Sequence, residues 1–361
     1  MKNLITTTVC LLFTLSLSAQ NIWVADNRPT APTGAHVFST INAAIAAASP
    51  GDIIHVIPSQ TFYTNPTLNK DSISIYGIGF NPDKDQPNKV WVEDFTISSD
   101  VYGVRISGIN INDDLIIGSA AGSSNGNIFL ENLDVTRIMH ASTCCSASSL
   151  SNVVIRNCVI GIRETSNQAV VEFTGNYINA TSLVITNCVI MGTSSSSGAG
   201  SVNILDAIIK NNLFLGNASN DNSFGTVSNS TVSNNVFLGR VPRGSNVSNS
   251  TFSNNLSFGT ENDVFLVGSN GNTGADNLEG TDPLIVGVTA VDDWDYSFDP
   301  SLDPSSPALS AGNDGNDIGI TGGTIPFSIT GTPLPVIKVL RIPEIIKQGD
   351  DLDATIEAVG N

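Results

Sequence analysis

Seven segments of the chain follow one eight-residue template, and this repeat limits the fold more than any other feature. Positions one and three are apolar, position five is Gly or Asn, position six faces inward and position eight is apolar. The copies start at Val104, Ile128, Val153, Leu183, Ala207, Ser230 and Ser250, with spacings of 24, 25, 30, 24, 23 and 20 residues. Their fifth positions hold Gly108, Asn132, Asn157, Asn187, Asn211, Asn234 and Asn254, and an eighth match starts at Ile73 with Gly77 in fifth place. Alternation with period two puts positions one and three on one side of a strand. The break at position five requires a sharp bend, and Gly or Asn tolerates the left-handed backbone there. Repeats of this length built from short strands mean stacked coils. Coils stack about 4.8 Å apart, so the fifth-position asparagines are expected to form a ladder of amides. The expected fold is all-β: a right-handed parallel β-helix, or solenoid.

Composition agrees with that fold. Charged residues make up 13% and aromatics 6% of the 361 residues, while 40% are hydrophobic. This excludes a disordered chain. The net charge of −18 argues against nucleic acid or an anionic membrane surface as a partner. Residues 1–19 read as a signal peptide: Lys2, an apolar run over 8–15, and a small-residue exit ending at Ala19. That run is too short to span a bilayer and no later stretch is long enough. The expected location is therefore secreted, periplasmic or on the outer surface, with no membrane span. Four cysteines remain after residue 19, and none forms a Cys-x-x-Cys pair, so no zinc site is expected. Cys158 and Cys188 fall at sixth positions, beside Ile109 and Leu133, and read as small buried residues. A disulfide between them requires adjacent coils. Cys144 and Cys145 lie in a loop, as a vicinal disulfide or as free thiols.

A solenoid must close its ends, because an open coil exposes apolar core and strand edges. In Ser39-Thr40-Ile41-Asn42-Ala43-Ala44-Ile45-Ala46-Ala47-Ala48, residues Ile41, Ala44, Ile45 and Ala48 share one helical face and Ser39 is placed to cap it. Pro50-Gly51-Asp52 then turns the chain into Ile53-Ile54-His55-Val56. This opening resembles that of pectin-lyase-like right-handed β-helix proteins. Gly280-Thr281-Asp282-Pro283-Leu284, Ser305-Ser306-Pro307-Ala308-Leu309-Ser310-Ala311-Gly312 and Asn316-Asp317-Ile318-Gly319 resemble the closing segment of many secreted bacterial members. The resemblance covers residues 21–323. It implies the fold and leaves the activity open, since that superfamily includes lyases, hydrolases, epimerases and adhesins. The expected organisation is a signal peptide (1–19), a β-helix with an N-terminal capping helix (20–323), and a Pro-punctuated linker with a short C-terminal strand tail (324–361).

Outward positions follow from the register. Position two gives Arg105, Phe129, Val154, Val184, Ile208, Thr231 and Thr251; position seven gives Asn110, Asp134, Val159, Val189, Leu213, Val236 and Leu256. Both columns are apolar in the middle coils, where a solvated face should be polar. Such a stripe is either covered by the chain's own segments, residues 193–201 or the C-terminal tail, or open to a partner. In the open case Phe129, Val154, Val184 and Ile208 are the binding candidates.

Position four brings Glu131 and Arg156 onto neighbouring coils as an ion pair. They can also be cast as catalytic groups. Arg156 or Lys210 would be the base, with Glu131, Asp134 and Asp113 as carboxylates, and Asp113 and Asp134 as Ca²⁺ ligands. The motifs of polygalacturonase-like hydrolases are missing apart from Asp113-Asp114 after Asn112. Arg240-Val-Pro-Arg243 resembles the Arg-x-Pro-x-x-Arg of pectate lyases, one residue short. His36, His55 and His140 read as structural. Thr231/Ser233 and Thr251/Ser253 would form a short hydroxyl array. The expectation is a surface or secreted module binding a polysaccharide or cell-envelope partner without a cofactor. The alternative is a polysaccharide lyase or glycosidase that draws on Ca²⁺.

Overall fold

The computed structural model describes residues 20–359 except 81–88, 119–121, 142–147, 164–167, 175–177, 193–199, 217–220, 291–293, 329–335 and 342–354. Residues 1–19, expected to be a signal peptide, and the Cys144/Cys145 pair lie outside the described residues. The chain winds into a parallel β-helix built from a 12-stranded and a 14-stranded sheet, every ladder of both being parallel. Right-twisted strands joined by parallel crossovers give the right-handed coil. Template positions two to four of every copy lie in the 12-stranded sheet, here called the first face. Its register runs Arg105–Phe129–Val154–Val184–Ile208–Thr231–Thr251–Thr273. The template alignment is thus reproduced residue for residue. The 14-stranded sheet bends over two further faces: the strand Asp134–His140 pairs Val159 and Ile160 at its start and Val171 and Glu172 near its end. Val336–Arg341 and Thr355–Val359 form a separate antiparallel pair.

The fifth-position bend is as expected. Gly108 has φ +73°, and Asn132, Asn157, Asn187, Asn211, Asn234 and Asn254 lie between +51° and +57°. A second column of left-handed residues directly precedes the template: Gly103, Asn127, Asn152, Ser182, Asp206, Asn229 and Asn249. It marks the corner at which each coil re-enters the first face.

The amide ladder is displaced by one position from the expected one. Fifth-position asparagines such as Asn187, Asn211 and Asn234 are buried too, but the ladder runs through Asn212, Asn235 and Asn255 at position six, which are fully buried. The backbone N–H and Nδ2 of Asn212 both donate to Oδ1 of Asn235 at 2.9 Å. Asn235 repeats this to Asn255, and Asn255 to Asn277, all at 3.0 Å. Nδ2 groups also reach the carbonyls of Ile185, Ile209 and Val232. The amides of Asn212, Asn235 and Asn255 are therefore satisfied by their neighbours. Cys158 and Cys188 continue this column on adjacent coils as buried free thiols, the Cys158 N–H lying 3.4 Å from Cys188 Sγ. Burial pushes the Cys158 thiol up from its ordinary value, which keeps it protonated and inert. Phenylalanines fill the later coils, with Phe214 stacked on Phe237 at 4.6 Å and Phe224 edge-on to Phe237 at 5.7 Å.

The N-terminal cap is the helix Ile41–Ala47, with Ile41, Ala44 and Ile45 buried. Its N-cap is Thr40, not Ser39: the Thr40 hydroxyl accepts from Ala43 N–H at 3.1 Å. At the other end, the chain beyond the last coil folds back along the solenoid. The fifth-position asparagines hold it there. Asn187 donates to the carbonyls of Ile320 and Gly322, Asn211 to Asp317, Asn254 to Ala311, and Asn234 exchanges bonds with Asn313. This segment lays Val288, Trp294, Ala308, Ile318, Ile320 and Phe327 over Val159, Val189, Leu213, Val236 and Leu256. The position-seven stripe is thus covered by the chain itself.

Candidate functional site

The position-two stripe has a different environment. Ile208 is 44% exposed, Phe129, Val154 and Val184 are partly exposed, and none of the four belongs to either buried cluster. Beyond them Thr231, Thr251 and Thr273 are exposed, and the hydroxyls of Thr251 and Thr273 lie 3.1 Å apart. Ser233 is buried, so the exposed hydroxyl row is the single file of threonines and not the expected two-column array. From Arg105 to Thr273 the column runs about 34 Å at the usual strand spacing.

Glu131 is 5% exposed and clamped between Arg105 and Arg156, one coil on either side. The Arg105 guanidinium also lies 5.0 Å from the centre of the Phe129 ring. The expected Glu131–Arg156 pair exists, but Arg105 completes it, so Glu131 is committed to two cations and not free to act. Lys210 is three strands beyond Glu131 in the same column, about 14 Å away. The candidate catalytic trio Glu131, Arg156 and Lys210 does not converge.

Carboxylates gather elsewhere, at the corner between the second and third faces. Oxygens of Asp94, Asp113 and Asp114 all lie within 4.8 Å of one another. Desolvation, followed by repulsion from Asp114 and Asp94, pushes the Asp113 carboxyl up, against the nearby Arg137. Arg137 donates to both oxygens of Asp114 at 2.8 and 2.7 Å. Hard oxygen donors of this type suit Ca²⁺ better than a softer metal. Asp134 does not belong to this trio. It is 1% exposed and ion-paired with Arg163 at 2.7 Å, which removes it as a metal candidate. Asp94, absent from the sequence reading, comes from the preceding coil, where Asp114 N–H donates to it at 3.3 Å.

The remaining candidates are structural. Arg240 is fully buried and donates to the carbonyls of Gly192 and Asn222 at 2.6 and 2.8 Å; burial pushes it down to about 10. It ties the segment at Gly192 to the start of the strand Asn222–Ser228 and is buried away from any substrate. His140 is 1% exposed and burial lowers its pKa.

No protein-family model matches the chain, and no curated protein matches it. Among solved structures, pectate lyase Pel9A aligns over 83% of this chain and 96% of its own, with a TM-score of 0.41 and 13% identity. A rhamnogalacturonan lyase aligns over 78% and 96%, with a TM-score of 0.41 and 12% identity. At that distance what those proteins act on does not transfer to this chain. No helix among the described residues is long and apolar enough to cross a membrane.

Proposed function

We propose that this protein is an exported β-helix that binds an extended polysaccharide, free or in the cell envelope, along its first face. One observation carries the reading: the chain buries the position-seven stripe under its own C-terminal segment but leaves the matching position-two stripe open. An uncovered apolar column flanked by a few polar groups is the usual make-up of a recognition surface. Arg105, Arg156 and Lys210 bring cations to this face beside Glu131 and beside Asp314, whose charge acts on Lys210, although the whole chain carries −18. A face that repeats at every strand fits a ligand that itself repeats. The test is a polysaccharide array probed with the wild type, Val184→Asp and Ile208→Asp. Both side chains reach water, so each variant should fold with a Tm within a few degrees of wild type. Binding should fall by about tenfold or more. Normal binding by both variants, or no ligand in the array, would overturn the proposal.

The alternative, a polysaccharide lyase or glycosidase, is favoured by the carboxylate trio at Asp94, Asp113 and Asp114. A bound Ca²⁺ would offset the repulsion that raises Asp113 and would acidify a uronate proton. On this reading, unsaturated product forms from an acidic polysaccharide only with Ca²⁺, and Asp113→Asn abolishes it. Activity that survives a chelator would remove Ca²⁺ from the mechanism.

A further inference from the structure

The geometry points to a second binding site, for a carboxylate-bearing sugar, formed on the second face by Phe62, Trp91 and Lys89. It is separate from the first face and does not depend on that reading. Backbone bonds build its frame: Ser59 N–H donates to Lys89 O at 3.2 Å and Tyr63 N–H to Trp91 O at 2.8 Å. These bonds fix the segment that carries Phe62 against the strand that carries Trp91. The two rings lie 5.7 Å apart at a tilt of 32°, and Phe62 leaves 52% of its surface in water. An exposed phenylalanine backed by a tryptophan is an aromatic shelf. A pyranose offers such a shelf its weakly positive C–H face, complementary to the negative face of the rings.

Lys89 supplies the second half of the site. Its Nζ lies 5.4 Å from the centre of the Trp91 ring and 4.8 Å from that of Tyr296. Two rings hold the ammonium in place, but rings are weak substitutes for hydrogen-bond acceptors. The nearby acid, Asp134, is already ion-paired with Arg163. Among the described residues Lys89 has no ion-pair partner, and burial lowers its pKa, with the charge of Asp134 opposing. A half-buried ammonium without an acceptor is poorly solvated, and a ligand carboxylate would restore what water supplied. The Arg163 guanidinium, 5.8 Å from the Trp91 ring, is already paired with Asp134, which leaves Lys89 as the cation available to a ligand. The shelf selects a ring and the ammonium selects an anion, which together describe a uronic acid residue.

The test uses trigalacturonate as probe and maltotriose as a neutral control of the same length, read by calorimetry and tryptophan fluorescence on the full chain. Wild type should bind trigalacturonate, with maltotriose at least about tenfold weaker. Lys89→Met and Phe62→Ala should each lower trigalacturonate affinity by about tenfold or more, with the Tm of each checked against wild type. Should Lys89→Met fail to fold, Lys89→Gln replaces it. Asn229→Gly, at an exposed corner assigned to neither site, should leave this binding unchanged. No trigalacturonate binding by wild type, equal binding of maltotriose, or unaltered affinity in the Lys89 variant would overturn the inference. Loss of binding in Val184→Asp alone would place the ligand on the first face and overturn it equally.

Discussion

Ile155→Asp should leave little folded protein at 25 °C. Ile155 is 1% exposed and sits in register between Leu130 and Ile185, all three facing the coil interior. A carboxylate there has no cation beside it and must either lose its hydration or take up a proton. The cost belongs to the exceptional class above about 4–5 kcal/mol, comparable to the whole stability of many domains, about 5–15 kcal/mol. The neighbouring residue behaves differently because its side chain points out. Arg156→Ala removes one of two arginines from Glu131 and leaves Arg105 in place, so its cost should stay near ~1 kcal/mol. Thermal melts followed by circular dichroism separate the two. Equal melting temperatures would contradict the inside/outside assignment on which every surface column depends.

The second large effect lies in the buried amide ladder. Asn235→Ala should destabilise by about 3–5 kcal/mol, because each buried group left without a partner costs about 1–3 kcal/mol. The substitution strands the Asn212 N–H and one Nδ2 donor, and frees the carbonyl of Ile209. Asn229→Gly makes a demanding control. Asn229 is an exposed corner residue at φ +52°, a backbone that glycine adopts without strain, so its stability should stay within about 0.5 kcal/mol of wild type. If both variants melt alike, the ladder is not a source of stability.

Much of the coil was legible because the inward alternation and the fifth-position bend are written in residue types with few other uses. Asn132 through Asn254 could only be reconciled with a left-handed corner. The misplaced ladder has a specific origin: in Asn211-Asn212, Asn234-Asn235 and Asn254-Asn255 one asparagine turns the chain and the next is buried. The doublets are visible in the sequence, but Ile109, Leu133 and the two cysteines at position six suggested an apolar column throughout. The second corner was hidden because Ser182 and Asp206 interrupt its asparagines, and single residues of those types do not signal a left-handed backbone. The site was less legible for a topological reason. Glu131 and Arg156 are one coil apart and could be paired by register, yet Arg105 enters from position two on the other side. Asp94 meets Asp113 and Asp114, and Phe62 and Lys89 meet at Trp91, only through coils outside the seven-copy template. Which apolar stripe the C-terminal segment covers was equally out of reach, because that segment carries no repeat to align.

The most direct measurement is hydroxyl-radical footprinting of the protein with its best-binding polysaccharide. Protection is expected at Phe129, Val154, Val184 and Ile208, with Phe327, already buried under the C-terminal segment, unchanged. Protection confined to the Asp94–Asp114 corner or to the Phe62 shelf, with the first-face column as reactive as in the free protein, would contradict the assignment of the first face as the binding surface.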